Sequence, residues 1–123
     1  MVSLLHLAQI TEEGVTFKSP VDGSSMLLTP EHSMQIQNQL GADIMMALDD
    51  VVSSVAPSAE RFAEATDRTT RWIDRCVKAH ARPEAQSLFG IVQVAPGPLH
   101  ALPAVSEASV SVAHRRLNCL QQV

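Results

Sequence analysis

The chain has 123 residues, 46% of them hydrophobic, and a formal net charge of -4. That length suffices for one small globular domain but lies far below the roughly 250 residues of a complete eight-stranded α/β barrel. The acidic balance argues against a nonspecific polyanion-binding protein, because such proteins usually carry a basic excess over the whole domain.

The cysteines and the first residues indicate the expected compartment. Cys76 and Cys119 match no CxxC or zinc-ligand spacing, so we expect reduced intracellular thiols. The start lacks a basic n-region and soon reaches Glu12 and Glu13, which argues against a secretory signal peptide. No apolar run approaches about 18 residues, so we expect no transmembrane helix.

The first third of the chain predicts strands. Residues Met1 to Ile10 are mostly apolar and fit a strand or its exit. The segments GVTFKSP and SMLLTP then flank a turn signal, PVDGSS, in which Pro20 fixes φ, Asp22 favours an Asx-type turn and Gly23 permits positive φ. We therefore predict a β-hairpin.

A capped helix and a buried strand are predicted next. Thr29 is placed as an N-cap, Pro30 as a first-turn residue and Glu31 as a partner of the helix dipole, and Gly41 can end the helix in the left-handed conformation. The following ADIMMAL segment is short and apolar. It is typical of a strand buried on both faces, as in a parallel sheet.

A second helix is the clearest predicted element. It should begin after an N-cap at Ser58 and end at Arg82 and Pro83. Its apolar positions recur at three- and four-residue steps: Phe62, Ala65, Thr69, Trp72, Ile73, Cys76, Val77 and His80. Trp72 lies on this stripe, so we expect core packing rather than base stacking. A strand from Ser87 to Val94 follows, which completes a predicted βαβ unit.

Two adjacent carboxylates, Asp49 and Asp50, follow the ADIMMAL strand. An isolated carboxylate is costly to bury, so such a pair is expected at the rim where a strand meets solvent or ligand. Parallel α/β folds place their ligands at the carboxyl ends of strands. The residues alone also allow purely structural interpretations, of Asp49 as a helix cap or a partner of the helix dipole and of Gln93 as a surface strand end.

Other charged residues carry weaker signals. Arg68, Arg71 and Arg75 could form a phosphate-facing ridge, but Asp67 and Asp74 lie among them and favour solvated ion pairs. The five histidines share no metal-ligand spacing, so no metal is assigned. Residues 94–123 carry three prolines and no amphipathic helix pattern, and we expect this tail to be poorly ordered.

Three stretches resemble consecutive blocks of one family: VSLLHLAQITEEGVTFKSPVDG, LLTPEHSMQIQNQLGADIMMALDDVVSS and TTRWIDRCVKAHARPEAQSLFGIVQ. They are similar to the queuine tRNA-ribosyltransferases, also called tRNA-guanine transglycosylases, over residues 2–93. The LDDVV form is closer to the eukaryotic catalytic subunit than to the bacterial enzyme. The resemblance implies that residues 1–93 form part of a TIM (β/α)8 barrel, with a hairpin excursion and a βαβ unit. Residues 94–123 would form a divergent tail.

The family's activity implies roles for particular residues. Its members exchange guanine for queuine at the wobble position of tRNA anticodons through a covalent aspartate intermediate. By resemblance, Asp49 accepts hydrogen bonds from the ring N-H and exocyclic amine of the purine, and Gln93 helps to hold the same base. Asp50 is given a supporting role, either orienting Asp49 or capping the following helix.

Departures from the family limit what is expected of this chain. The Asp-Ser-Gly-Gly-Phe-Gln motif with the proton-transfer aspartate, the nucleophile and the zinc ligands have no counterpart here, so we assign no catalytic residue, metal or cofactor. We expect a fragment that is inactive alone. The alternatives are a noncatalytic short isoform that serves as an interaction module for the partner subunit, and a small independent binding domain.

The resemblance also implies where and with what the chain would work. Its expected partners are the tRNA anticodon loop, the queuine or guanine base and a noncatalytic subunit in a heterodimer. The implied location is cytoplasmic, including the outer surface of mitochondria.

Overall fold

A computed structural model describes residues 8–52 and 58–91 as a mixed α/β arrangement. The prediction that the chain mixes strands and helices in an α/β fold is confirmed for these residues. The elements are β1 (Ala8–Ile10), β2 (Val15–Lys18), β3 (Ser25–Leu28), α1 (Pro30–Leu40), β4 (Ile44–Met46), α2 (Ala59–Ala79) and β5 (Ser87–Phe89). The predictions for residues 1–7, for Gln93 and for the tail 94–123 lie outside the described residues.

Strands β1, β2 and β3 form an antiparallel sheet in that order. The predicted hairpin is confirmed: β2 and β3 pair with Phe17 opposite Met26. Its turn has the expected chemistry, because Asp22 Oδ1 accepts from the Ser24 N-H at 3.1 Å and from the Ser24 hydroxyl at 2.8 Å. Gly23 has the positive φ, 72°, that L side chains adopt rarely.

Helix α1 begins and ends where its sequence predicts. Thr29 is extended, and its hydroxyl accepts from the His32 N-H at 3.1 Å, which satisfies one of the free amides of the first turn. Pro30 occupies the first helical position. Gly41 ends the helix in the left-handed conformation with φ 71°.

Strands β4 and β5 are parallel neighbours, and α2 connects them. The predicted βαβ unit is therefore confirmed, with Ile44 opposite Ser87 and Met46 opposite Phe89. Ser58 caps α2 as predicted, because its hydroxyl accepts from the Arg61 N-H at 3.2 Å. The helix ends at Ala79, three residues before Arg82.

The apolar core lies between the two helices and one face of β4. It contains Met34, Met45, Ala47, Ile73 and Cys76. Trp72 is also fully buried, and its indole N-H donates to the Glu12 carbonyl oxygen at 2.9 Å. The prediction that Trp72 is a packing residue is confirmed, and its one polar atom is paired.

The prediction that β4 is buried on both faces is wrong for the described residues. Met45 is fully buried, but Ile44 and Met46 are 61% and 46% exposed. Side chains alternate along a strand, and the two helices cover only the face that carries Met45. Phe89, opposite Met46 on β5, is also exposed. An apolar sheet face is therefore open in this part of the chain.

The outer edge of β4 is occupied by a side chain. The Gln37 amide nitrogen donates to the Met46 carbonyl oxygen at 3.0 Å, and the Met46 N-H donates to Gln37 Oε1 at 2.9 Å. The side-chain amide thus pairs with the strand as a neighbouring peptide group does. One of the exposed peptide groups that make strand edges prone to association is satisfied in this way.

Gly14 provides a test of how tightly the antiparallel sheet meets the start of α1. A Cβ at this position would overlap the Leu28 carbonyl oxygen and stand only 3.0 Å from Thr29 Cα, and both are backbone atoms. We expect Gly14→Ala to lower the free energy of unfolding by roughly 1–3 kcal/mol, measured by urea denaturation. Gly90→Ala is the control, because its Cβ would lie at an ordinary 3.6 Å from an Ile73 side-chain carbon. Equal stability of the two variants would contradict this packing.

Candidate functional site

The carboxyl end of β4 carries the predicted Asp pair. Because β4 and β5 are parallel, their carboxyl ends lie at the same edge of the sheet. Asp49 follows β4 by three residues and is partly buried, whereas Asp50 is fully buried. The predicted base-binding partner Gln93 lies outside the described residues, so its placement relative to Asp49 stays a prediction.

Two arginines from α2 bind the Asp50 carboxylate. Arg61 makes a two-point contact, with Nη2 2.6 Å from Oδ1 and Nη1 2.9 Å from Oδ2. Arg68 Nη1 adds a third hydrogen bond, 2.5 Å from Oδ2. The Asp50 N-H donates to the Thr69 hydroxyl at 3.0 Å. We call Arg61, Arg68 and Thr69, acting on Asp50, the arginine clamp.

The structure excludes one of the two supporting roles considered for Asp50. Helix α2 is capped by Ser58, so Asp50 does not cap it, and the role of orienting Asp49 stays a prediction. A buried carboxylate is costly unless it is paired and hydrogen-bonded, and the two guanidinium groups meet that requirement. With its oxygens engaged by arginines, the Asp50 carboxylate is poorly placed to act as a nucleophile or to contact a base.

Arg68 is the more buried member of the clamp and has further carboxylate partners. Its Nη2 lies 2.5 Å from Glu64 Oε1, and its Nε lies 3.5 Å from Glu12 Oε2. Burial lowers the pKa of Arg68, but the hydrogen bonds with Asp50 and Glu64 outweigh burial and raise the pKa above its ordinary value. The guanidinium therefore stays charged inside the protein.

The prediction of solvated ion pairs along α2 holds for one arginine and fails for another. Arg71 is exposed and makes a two-point contact with Glu12, both distances being 2.8 Å. Arg68 is only 8% exposed, so it does not form a solvated pair. The carboxylates that bind these two side chains come largely from other parts of the chain, not from Asp67 and Asp74.

Arg75 connects α2 to both the β1–β2 turn and α1. It makes a two-point contact with Glu31, at 2.6 and 2.7 Å, and donates to the carbonyl oxygens of Glu12 at 2.9 Å and Glu13 at 3.1 Å. The hydrogen bond from Arg75 lowers the pKa of Glu31 to about 2. The hydrogen bond from Arg71 likewise lowers the pKa of Glu12.

Sequence reasoning missed Arg61 and the role of Glu12. One signal was available: Arg61 and Arg68 are seven residues apart, which places them on the same side of a helix. That spacing does not identify the carboxylate they bind, because Asp50 lies 11 and 18 residues away in the sequence.

The described part of the chain has neither a metal-binding cluster nor a membrane-spanning helix. Over residues 8–52 and 58–91, no three His, Cys, Asp or Glu side chains are grouped so as to hold a metal ion. The same ranges contain no helix that is both long and apolar enough to cross a membrane.

Comparison with known proteins identifies close sequence similarity. The sequence model of the family described as Queuine tRNA-ribosyltransferase matches residues 1–99. The queuine tRNA-ribosyltransferase catalytic subunit of Schizosaccharomyces pombe is 62% identical over 93 residues, which are 76% of this chain and 23% of that protein. The queuine tRNA-ribosyltransferases of Cyanothece sp. and Staphylococcus aureus are each 53% identical over 91 residues, 74% of this chain and 24% of theirs. The chain thus spans about a quarter of the length of these relatives.

The Glu31–Arg75 pair predicts a specific pH dependence. Because the pKa of Glu31 is about 2 in the folded chain and its ordinary value is 4.5, its contribution to stability is complete above about pH 4.5. That contribution is lost as pH falls toward 2. We expect the stability difference between the wild-type chain and Glu31→Gln to shrink over this window in urea denaturation. Glu84→Gln, in the exposed connection before β5, is the control. A difference that stays constant with pH would contradict the pairing.

Proposed function

The chain belongs to the queuine tRNA-ribosyltransferase family, and we propose that it supplies the purine-recognition part of a tRNA-guanine transglycosylase site. The observation that carries this proposal is the different placement of two adjacent carboxylates at the carboxyl end of β4. Asp50 is buried and bound by Arg61 and Arg68, whereas Asp49 next to it is only partly buried.

Asp49 has the chemistry that recognition of guanine requires. A carboxylate has two coplanar oxygens, and the guanine edge presents a ring N-H and an exocyclic amine side by side. One ionised acceptor facing two donors forms a charge-assisted, two-point contact that rejects bases without both donors. We propose Gln93 as a second contact to the same base. In the complete site the base would be extruded from a tRNA anticodon loop, as enzymes that act on bases require.

We further propose that residues 1–93 form part of a TIM barrel and that residues 94–123 lie outside it. The parallel β4–α2–β5 unit, with helices on one face of the sheet, supports this arrangement. In such barrels the helices cover the outer face of each strand, and the inner face packs into the barrel interior. The exposed side chains of Ile44, Met46 and Phe89 have the apolar character of such an inner face.

We propose that the 123-residue chain by itself binds the base but does not exchange it. In the family's reaction one carboxylate attacks the ribose C1' and a second manages the proton of the base, while a further acceptor holds the base. The Asp50 carboxylate is bound by the arginine clamp and is poorly placed to act as a nucleophile or an acid-base group, so the Asp pair does not supply both of these groups. Glycosidic exchange through a covalent intermediate needs at least a nucleophile and an acid-base group.

A second function is favoured by one observation, the open face of β4 and β5. Ile44, Met46 and Phe89 are 61%, 46% and 48% exposed, which is unusual for large apolar side chains on neighbouring strands. In this alternative the chain is a noncatalytic interaction module that docks on a partner subunit. Asp49 would then be dispensable, so the following experiment separates the two functions.

Guanine affinity of the purified chain, measured by isothermal titration calorimetry, tests the first proposal. We expect Asp49→Asn, which keeps the size and removes the charge, to weaken binding by roughly 10- to 100-fold, the effect of losing charge-assisted hydrogen bonds. Asp43→Asn is the matched control, because Asp43 is an exposed aspartate at the other end of β4. Adenine, which lacks the paired donors, should not bind.

Exchange of labelled guanine into a substrate tRNA, assayed with the same preparation, tests the proposal that the chain does not exchange the base. We expect no incorporation. Incorporation that Asp49→Asn abolishes would overturn the claim that the chain does not catalyse exchange. Equal guanine affinity of the wild-type chain and Asp49→Asn would overturn the recognition role and favour the interaction module.

A further inference from the structure

We propose that Arg61 and Arg68 are positioning residues for Asp49: acting through Asp50, they fix the segment that presents the Asp49 carboxylate to the purine. This inference rests on the proposed function of Asp49 and extends it to residues on α2. Neither arginine needs to touch the base, since both are already bound to Asp50.

The segment that carries Asp49 is anchored on both sides. Before it, the Ala47 N-H donates to the Phe89 carbonyl oxygen at 2.9 Å, which holds the chain to β5. After it, Asp50 is held to α2. Only Leu48 and Asp49 lie between these two anchors. Two residues spanning two fixed points have little backbone freedom, so the place from which the Asp49 side chain extends is set by the anchors.

The second anchor restrains both the backbone and the side chain of Asp50. The Thr69 hydroxyl accepts from its N-H, and the two arginines bind its carboxylate. The two-point contact from Arg61 also sets the plane of the carboxylate, because a guanidinium presents its donors in a rigid fork. A lysine at the same position would supply the charge without that direction.

The clamp is itself preorganised by further carboxylates. Arg68 is bound to Glu64 one helical turn before it and lies near Glu12 from the β1–β2 turn. Its guanidinium therefore does not have to be ordered when a base binds. Binding groups that are held in place beforehand lose less entropy on binding, which strengthens the contact without adding a new one.

A purely structural role makes a different prediction. If the clamp only stabilised the fold, weakening it would lower the melting temperature but leave Asp49 unchanged in the molecules that remain folded. If it positions Asp49, weakening it changes the order of Asp49 and the guanine affinity in the folded chain. Arg71 provides the comparison, because it also makes a two-point contact with a carboxylate, Glu12, but does not touch Asp50.

The decisive variants of the 123-residue chain are Arg61→Lys and its control Arg71→Lys. Arg61 is 32% exposed in its side chain, so lysine is accommodated with its charge in place. Arg68→Lys is a second variant at the buried position. The order of Asp49 is measured by NMR, from its χ1 rotamer populations and the amide hydrogen exchange of residues 48–50. Guanine affinity and melting temperature are measured on the same samples.

We expect Arg61→Lys to broaden the rotamer distribution of Asp49, to speed amide exchange at residues 48–50 and to weaken guanine binding by about tenfold, the size of one charge-assisted hydrogen bond. Arg71→Lys should change none of these. If Asp49 is ordered equally in the wild-type chain, Arg61→Lys and Arg68→Lys, the positioning role is overturned, whatever the guanine result. If Asp49 loses order in Arg61→Lys but the wild-type chain binds no guanine, the positioning role stands and the proposed function fails.

Discussion

Burial of the Asp50 carboxylate constrains the position of α2 relative to the carboxyl end of β4. A fully buried carboxylate needs compensating charge and hydrogen bonds, and both come from Arg61 and Arg68. These arginines lie two turns apart on α2, so satisfying both fixes the rotation of the helix and its distance from β4. Removing one partner of such a pair costs about 3–5 kcal/mol, because the other charge stays buried.

The same helix face ties the antiparallel sheet to the βαβ unit. Glu12, in the turn between β1 and β2, accepts from Trp72 and Arg75 through its carbonyl oxygen and binds Arg71 through its carboxylate. Arg75 also binds Glu31 at the start of α1. Because α2 presents an arginine or tryptophan at each of these contacts, the β1–β2 turn and α1 are both held against one helix by directional bonds. The apolar core alone, which lacks β1 to β3, does not provide that connection.

Local elements were predictable from sequence because their causes are local. The caps at Thr29, Gly41 and Ser58 and the turn at Gly23 depend on residues within three positions of each other. Family resemblance predicts base recognition for Asp49, but the partners of Asp50 were not predictable, since no period in the sequence links a strand end to a residue 18 positions later. The prediction that β4 is buried on both faces failed for a related reason. The apolar composition of a strand shows what its faces can pack against, but it does not show what covers them.

The alternation of burial along β4 shows why the two aspartates differ. Met45 and Ala47 are buried and Ile44 and Met46 are exposed, so a strand continued in the same register would bury Asp49 and expose Asp50. In the structure Asp50 is fully buried and Asp49 is only partly buried, because β4 ends at Met46, before the pair. The arginines on α2 stabilise this arrangement by binding Asp50. A carboxylate that the strand pattern would have buried is thereby kept partly exposed at the carboxyl end of the sheet, beside a neighbour whose charge is already neutralised.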